Sequence, residues 1–121
     1  IDAISKELML RQAYIGDENI ATIYFGGGTP SVLELNLIQQ VLNTIKENFN
    51  VDSDCEITLE CNPDDLDETK LKGLFEMGVN RLSIGIQSFD NDVLTFMNRA
   101  HNSNEAINSV KLAKACGEVT S

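Results

Sequence analysis

A short apolar run, a turn and an amphipathic segment recur in that order along this chain and leave few folds open to it. Ile20-Ala-Thr-Ile-Tyr-Phe25 is a β-prone run that ends at Gly26-Gly27-Gly28-Thr29-Pro30. A run without polar alternation predicts a strand buried on both faces, as in a parallel sheet. Val32, Leu35, Ile38, Val41, Leu42, Ile45 and Phe49 then recur at helical spacing, and Ser31 with Glu34 has the spacing of a capping box. The order repeats with Glu56-Ile-Thr-Leu-Glu60, stopped by Asn62-Pro63. Asp67 then caps a predicted helix carrying Leu71, Leu74 and Phe75, with Gly78 at its left-handed terminus. Arg81-Leu-Ser-Ile-Gly-Ile86 reads as a third strand. Asp90 is placed to cap a short helix through Met97, and Ser103 to cap another ending at Gly117. Residues 1–14 read as a helix with Ile4, Leu8 and Tyr14 on or near one face.

Strands alternating with helices imply right-handed crossovers and a parallel α/β sheet. Three strands cannot close a barrel and leave two edges unpaired, so residues 1–121 read as one partial β/α barrel domain, truncated at both ends, or as a chain that pairs its edges with a second copy. Exposed edges predict self-association. The chain starts at Ile1, so an N-terminal targeting segment would lie outside it. Its 19 acidic and 9 basic residues give a net charge of −10, which repels phosphate backbones and anionic lipid. No apolar run nears the roughly 20 residues needed to cross a bilayer. Neither a nucleic-acid partner nor a membrane is expected.

Cys55, Cys61 and Cys116 are odd in number and lack C-x-x-C spacing, which argues against a disulfide scaffold and a self-contained metal site. They read as small apolar residues in a reducing cytoplasm. The even offset between Cys55 and Cys61 would put them on one strand face, but Pro63 argues against a strand long enough to hold both.

The unusual polar residues cluster just after each strand. Gly26-Gly27-Gly28-Thr29 follows the first, Glu60 and Asn62 end the second, and Gln87 follows the third. In a parallel array these ends open on one face, where such folds bind ligands. The glycine run is neither a P-loop nor a dinucleotide fingerprint, and in the plain reading it is a tight turn before a helix. Glu60 is an exposed terminal carboxylate, the partner of a nearby Arg, or an acceptor for ribose hydroxyls or an ammonium group. Gln87 can donate and accept at once, and Arg99 can take a carboxylate in bidentate fashion or form a surface ion pair. His101, the single histidine, reads as a solvated helix-end residue rather than a metal ligand. The run from Asp52 to Glu68 contains no basic residue and reads as a solvated face, since it lacks the register of a calcium loop.

Together, Tyr24-Phe-Gly-Gly-Gly-Thr-Pro-Ser31, Glu56-Ile-Thr-Leu-Glu-Cys-Asn-Pro63 and Gly78-Val-Asn-Arg-Leu-Ser-Ile-Gly-Ile-Gln-Ser-Phe89 resemble the oxygen-independent coproporphyrinogen III oxidase family of radical S-adenosylmethionine (SAM) enzymes, heme-chaperone-like members included. The resemblance implies an incomplete (β/α) radical SAM barrel with a 4Fe-4S cluster and SAM at the strand ends. It matches Gly27 and Glu60 to positions touching cluster-bound SAM, and Gly28, Thr29, Gln87 and Arg99 to a second SAM site. It assigns no catalytic residue. In such oxidases a deoxyadenosyl radical drives loss of carbon dioxide from porphyrinogen propionates; the chaperone-like members bind heme and hand it on. Arg99-Ala-His101 leans toward the latter. The family's C-x-x-x-C-x-x-C motif is not in this chain, so the 121 residues alone are expected to bind no cluster and cleave no SAM, and the electron donor is not indicated. A non-catalytic flavodoxin-like binding module is the alternative from another class.

Overall fold

The computed structural model describes residues 1–117. Its centre is a sheet of β1 (Asn19–Phe25), β2 (Asn50–Cys61) and β3 (Arg81–Ile84), all parallel and in sequential order. The helices are α1 (Asp2–Leu10), α2 (Gln12–Ile15), α3 (Leu35–Asn48), α4 (Glu68–Glu76), α5 (Asn91–Phe96) and α6 (Ser103–Cys116). The register sets Ile23 beside Ile57 and Phe25 beside Leu59, which in turn lies beside Leu82. These residues share one face, because side chains alternate along a strand. Ile38 and Leu42 of α3, Leu71 and Leu74 of α4, and Ala113 of α6 complete that core, each with no measurable exposure. At roughly 25 cal/mol per Å² of apolar surface removed from water, this single face supplies most of the driving force for folding.

The opposite face is polar. It carries Thr22 and Tyr24 from β1, Glu56, Thr58 and Glu60 from β2, and Arg81 and Ser83 from β3. This corrects the expectation that β1 is buried on both faces: Ile23 is its buried residue, Thr22 is exposed, and Tyr24 is 58% exposed. The strand lies at the sheet edge, and no described helix covers its second face.

Local chemistry explains the element boundaries. The Asp67 carboxylate accepts the Lys70 N–H at 2.7 Å and caps α4. Gly78, at a φ of 104°, closes that helix with N–H bonds from Gly78 to the Phe75 carbonyl and from Val79 to the Leu74 carbonyl, a Schellman ending. Asp90 caps α5. Two expected caps move. Ser31 lies in a short 3-10 turn (Pro30–Val32), and α3 starts later, with Glu34 as an N-cap that makes no side-chain bond. Asn102, not Ser103, caps α6 in a full capping box with Glu105. The N-terminal helix breaks at Arg11, and Tyr14 is 88% exposed rather than on a packed face. β2 runs long enough to hold both Cys55 and Cys61, with Pro63 falling in the next turn, and both thiols are buried on the core face. β3 stops at Ile84, because the Ile86 and Ser88 N–H groups bond locally to the Ile84 and Ile86 carbonyls.

Candidate functional site

The three strand ends meet on one rim. Glu60 ends the polar face of β2, where its Oε1 accepts the Tyr24 hydroxyl at 2.7 Å and its Oε2 accepts the Gly27 N–H at 3.1 Å. It is therefore neither a free terminal carboxylate nor the partner of an arginine; the Arg81 guanidinium instead reaches Glu56 at 3.3 Å. The hydrogen bond to Glu60 is the main cause holding the Tyr24 phenol above its ordinary pKa, with desolvation and the carboxylate's charge adding to it.

Thr29, Glu60, Gln87 and Arg99 line one polar cavity of about 280 Å³, together with Asn62 and Ser83. Gly27 joins this group through its bond to Glu60. Gly28 does not line that cavity and borders a neighbouring apolar groove of about 500 Å³ between β1, α1 and α3, which Gly27 and Thr29 also border. Arg99 is half-buried and takes part in none of the described ion pairs.

The rim is held in sparsely populated backbone conformations. Gly27, Gly28 and Thr29 have successive φ values of 74°, 61° and 76°, and Gln87 has 68°. Such conformations are unfavourable for a β-branched residue such as Thr29 and persist where surrounding contacts over-determine them. Gly26 is needed for a different reason. A Cβ there would lie 2.6 Å from the Tyr24 ring and 3.3 Å from the Glu60 carboxyl carbon, so the Tyr24–Glu60 pair requires glycine beneath it.

Behind the rim, loops from different strands are tied together. Ser31 is buried, donates to Asp65 Oδ2 at 2.5 Å and accepts the Asn62 N–H at 3.1 Å, joining the first loop to the second. His101 is 3% exposed, not solvated as expected, because its ring bridges Asp64 and the Ile86 carbonyl. Sequence reasoning missed these contacts and the role of Tyr24. One signal was available: Cys55-Glu-Ile-Thr-Leu-Glu-Cys61 alternates strictly, which marks a one-sided strand and places Glu60 on the open side.

The site offers a carboxylate, an amide and a guanidinium around a small cavity, with backbone groups of the glycine turn beside it. That set suits a ligand carrying hydroxyls, an amino group and a carboxylate, the polar groups of SAM. An iron–sulfur cluster fits poorly. Cys55 and Cys61 lie in the core, burial pushes the Cys61 thiol up to about 12, and no group of three or more His, Cys, Asp or Glu among the described residues is disposed to hold a metal.

Comparison with known proteins gives the family of the chain. The chain is 37% identical over 114 residues to the heme chaperone HemW of Buchnera aphidicola, a match covering 94% of this chain and 30% of that protein. It is 40% identical over 103 residues to HemW of Haemophilus influenzae, covering 85% and 27%. The solved structure of the coproporphyrinogen III oxidase HemN from Escherichia coli, a radical SAM enzyme, superposes with a TM-score of 0.87 at 29% identity, over 96% of this chain and 27% of that one. The chain thus spans under a third of the length of these relatives. The family model described as the Radical SAM superfamily matches residues 2–121, and the chain belongs to that superfamily.

Proposed function

We propose that this chain forms the SAM-recognition rim of a heme-chaperone-type radical SAM protein. The observation that carries the reading is the Glu60 carboxylate, fixed by the Tyr24 hydroxyl and the Gly27 N–H beside a cavity that Gln87 and Arg99 share. In this reading Glu60 and Gly27 orient one SAM, while Thr29, Gln87 and Arg99 contact a second, the Arg99 guanidinium taking a carboxylate. Gly28 would contribute backbone groups from the groove side. When bound with its reduced 4Fe-4S cluster, SAM supplies radical chemistry; this chain's residues bind, orient and exclude water. The cluster ligands belong to a segment other than these residues.

Similarity to relatives named heme chaperones favours heme as the cargo. The fit to a coproporphyrinogen III oxidase supports a second reading, SAM-dependent decarboxylation of a porphyrinogen. A polypeptide in which this chain follows a C-x-x-x-C-x-x-C segment separates them in anaerobic assays. Heme uptake without vinyl product is expected; conversion of coproporphyrinogen III to vinyl product would replace the chaperone reading with the oxidase. Absence of SAM binding by that polypeptide, with its cluster loaded, would refute both.

A further inference from the structure

His101 is a buried group that the proposed SAM contacts do not use. Its side chain is 1% exposed; Nδ1 lies 3.1 Å from Asp64 Oδ1, and Nε2 lies 3.1 Å from the Ile86 carbonyl oxygen. A carbonyl only accepts, so Nε2 carries a hydrogen and donates it. The same Ile86 carbonyl accepts the Ser88 N–H at 2.8 Å, closing a three-residue turn centred on Gln87. With a φ of 68° at Gln87, this is the rarer and strained form of that turn. A strained turn at an exposed residue needs an external hold, and the His101 ring is that hold. Asp64 anchors the other side of the ring to the turn after β2, and Arg99 lies just before it in sequence.

We infer that His101 is a positioning residue, which fixes the Gln87 turn and Arg99 at the cavity shared with Glu60. The identity of the ligand rests on the SAM reading above; the hold on the turn does not.

The test uses the isotopically labelled polypeptide in which this chain follows a C-x-x-x-C-x-x-C segment, with its cluster loaded, and three variants, His101→Phe, His101→Gln and His101→Asn. The readouts are the HN–Hα coupling and backbone shifts of Gln87, followed by titration with SAM. His101→Phe fills the space without a donor, and is expected to shift Gln87, Ser88 and Arg99 while leaving Leu59 and Leu71 in place. It is also expected to weaken SAM binding about tenfold, the scale of one lost hydrogen bond. The amide nitrogen of Gln falls near the Nε2 position and that of Asn near Nδ1, so His101→Gln is expected to restore the Gln87 signals and His101→Asn is not. Unchanged Gln87 signals in His101→Phe, or equal behaviour of the Gln and Asn variants, would overturn the inference. Should the Phe variant not fold, the Gln and Asn pair decides alone. A Gln87 response as described in a chain that binds no SAM upholds the positioning role and removes only the ligand.

Discussion

Cys61 and Glu60 are chain neighbours on opposite faces of one sheet, and they live in different physical worlds. Cys61 lies with Leu59 and Ile57 under α3, α4 and α6, where burial raises its thiol to about 12. Glu60 faces the open side, where its partners are a hydroxyl and a backbone N–H. The covered face holds the fold together and the open face holds polar groups in place. Substitutions on the two faces should therefore fail in different ways, one in stability and the other in recognition.

The largest difference is chemical. At pH 8 a thiol at about 12 is almost wholly protonated, so alkylation of Cys61 by iodoacetamide should run about three orders of magnitude slower than for a free cysteine. Half-buried Cys116 should label first, and mass spectrometry reads the order. Fast labelling of Cys61 in the folded chain would show that the covered face opens. The same shift links stability to pH. A thiol raised above its unfolded value contributes stability that is complete below the unfolded pKa of about 9, and that contribution falls as pH rises toward 12.

Leu59→Ala comes next. Leu59 is completely buried, and its truncation should cost about 2–5 kcal/mol, a large part of a small domain's stability, measured by urea unfolding. Glu60→Gln should unfold within about 1 kcal/mol of the parent yet weaken SAM binding about 10- to 100-fold, since it removes a charged acceptor. A comparable loss of stability in both variants would abolish the contrast between the faces. The same Glu60→Gln change should lower the Tyr24 titration toward the ordinary phenol value, followed by ultraviolet absorbance. The smallest effect belongs to the exposed Glu68–Lys72 pair on α4, where water and salt screen the charges, so Lys72→Ala should lower the urea midpoint only slightly and leave binding unchanged.

Much of the fold was legible because it is written in local periods. Helical spacing marked α3 and α4, and Asp67, Gly78 and Asp90 acted as expected because capping involves only neighbouring residues. The Ser31 cap failed for the opposite reason. Its hydroxyl is claimed by Asp65 and Asn62 across a sequence gap that no local pattern records. β1 was misjudged because its residues are all β-prone, while its burial depends on what packs against the edge.

The candidate site divides the same way. Glycines at 26, 27 and 28, a carboxylate at 60 and an amide at 87 stand out as residue types after strands, and parallel topology brings strand ends to one rim. Tyr24 escaped notice because its partner lies on the next strand, and His101 because a lone histidine carries no mark of burial.

The order of strands and helices and the chemical inventory at the strand ends follow from the amino-acid order alone, because periodicity, capping and residue type act over a few neighbouring positions. Long-range packing settles which face of the sheet is covered, that Glu60 is clamped between Tyr24 and Gly27, and that His101 is buried against Asp64 and Ile86. Those outcomes depend on distances between segments far apart in the chain, set when the helices close over one side of the sheet and leave the other open.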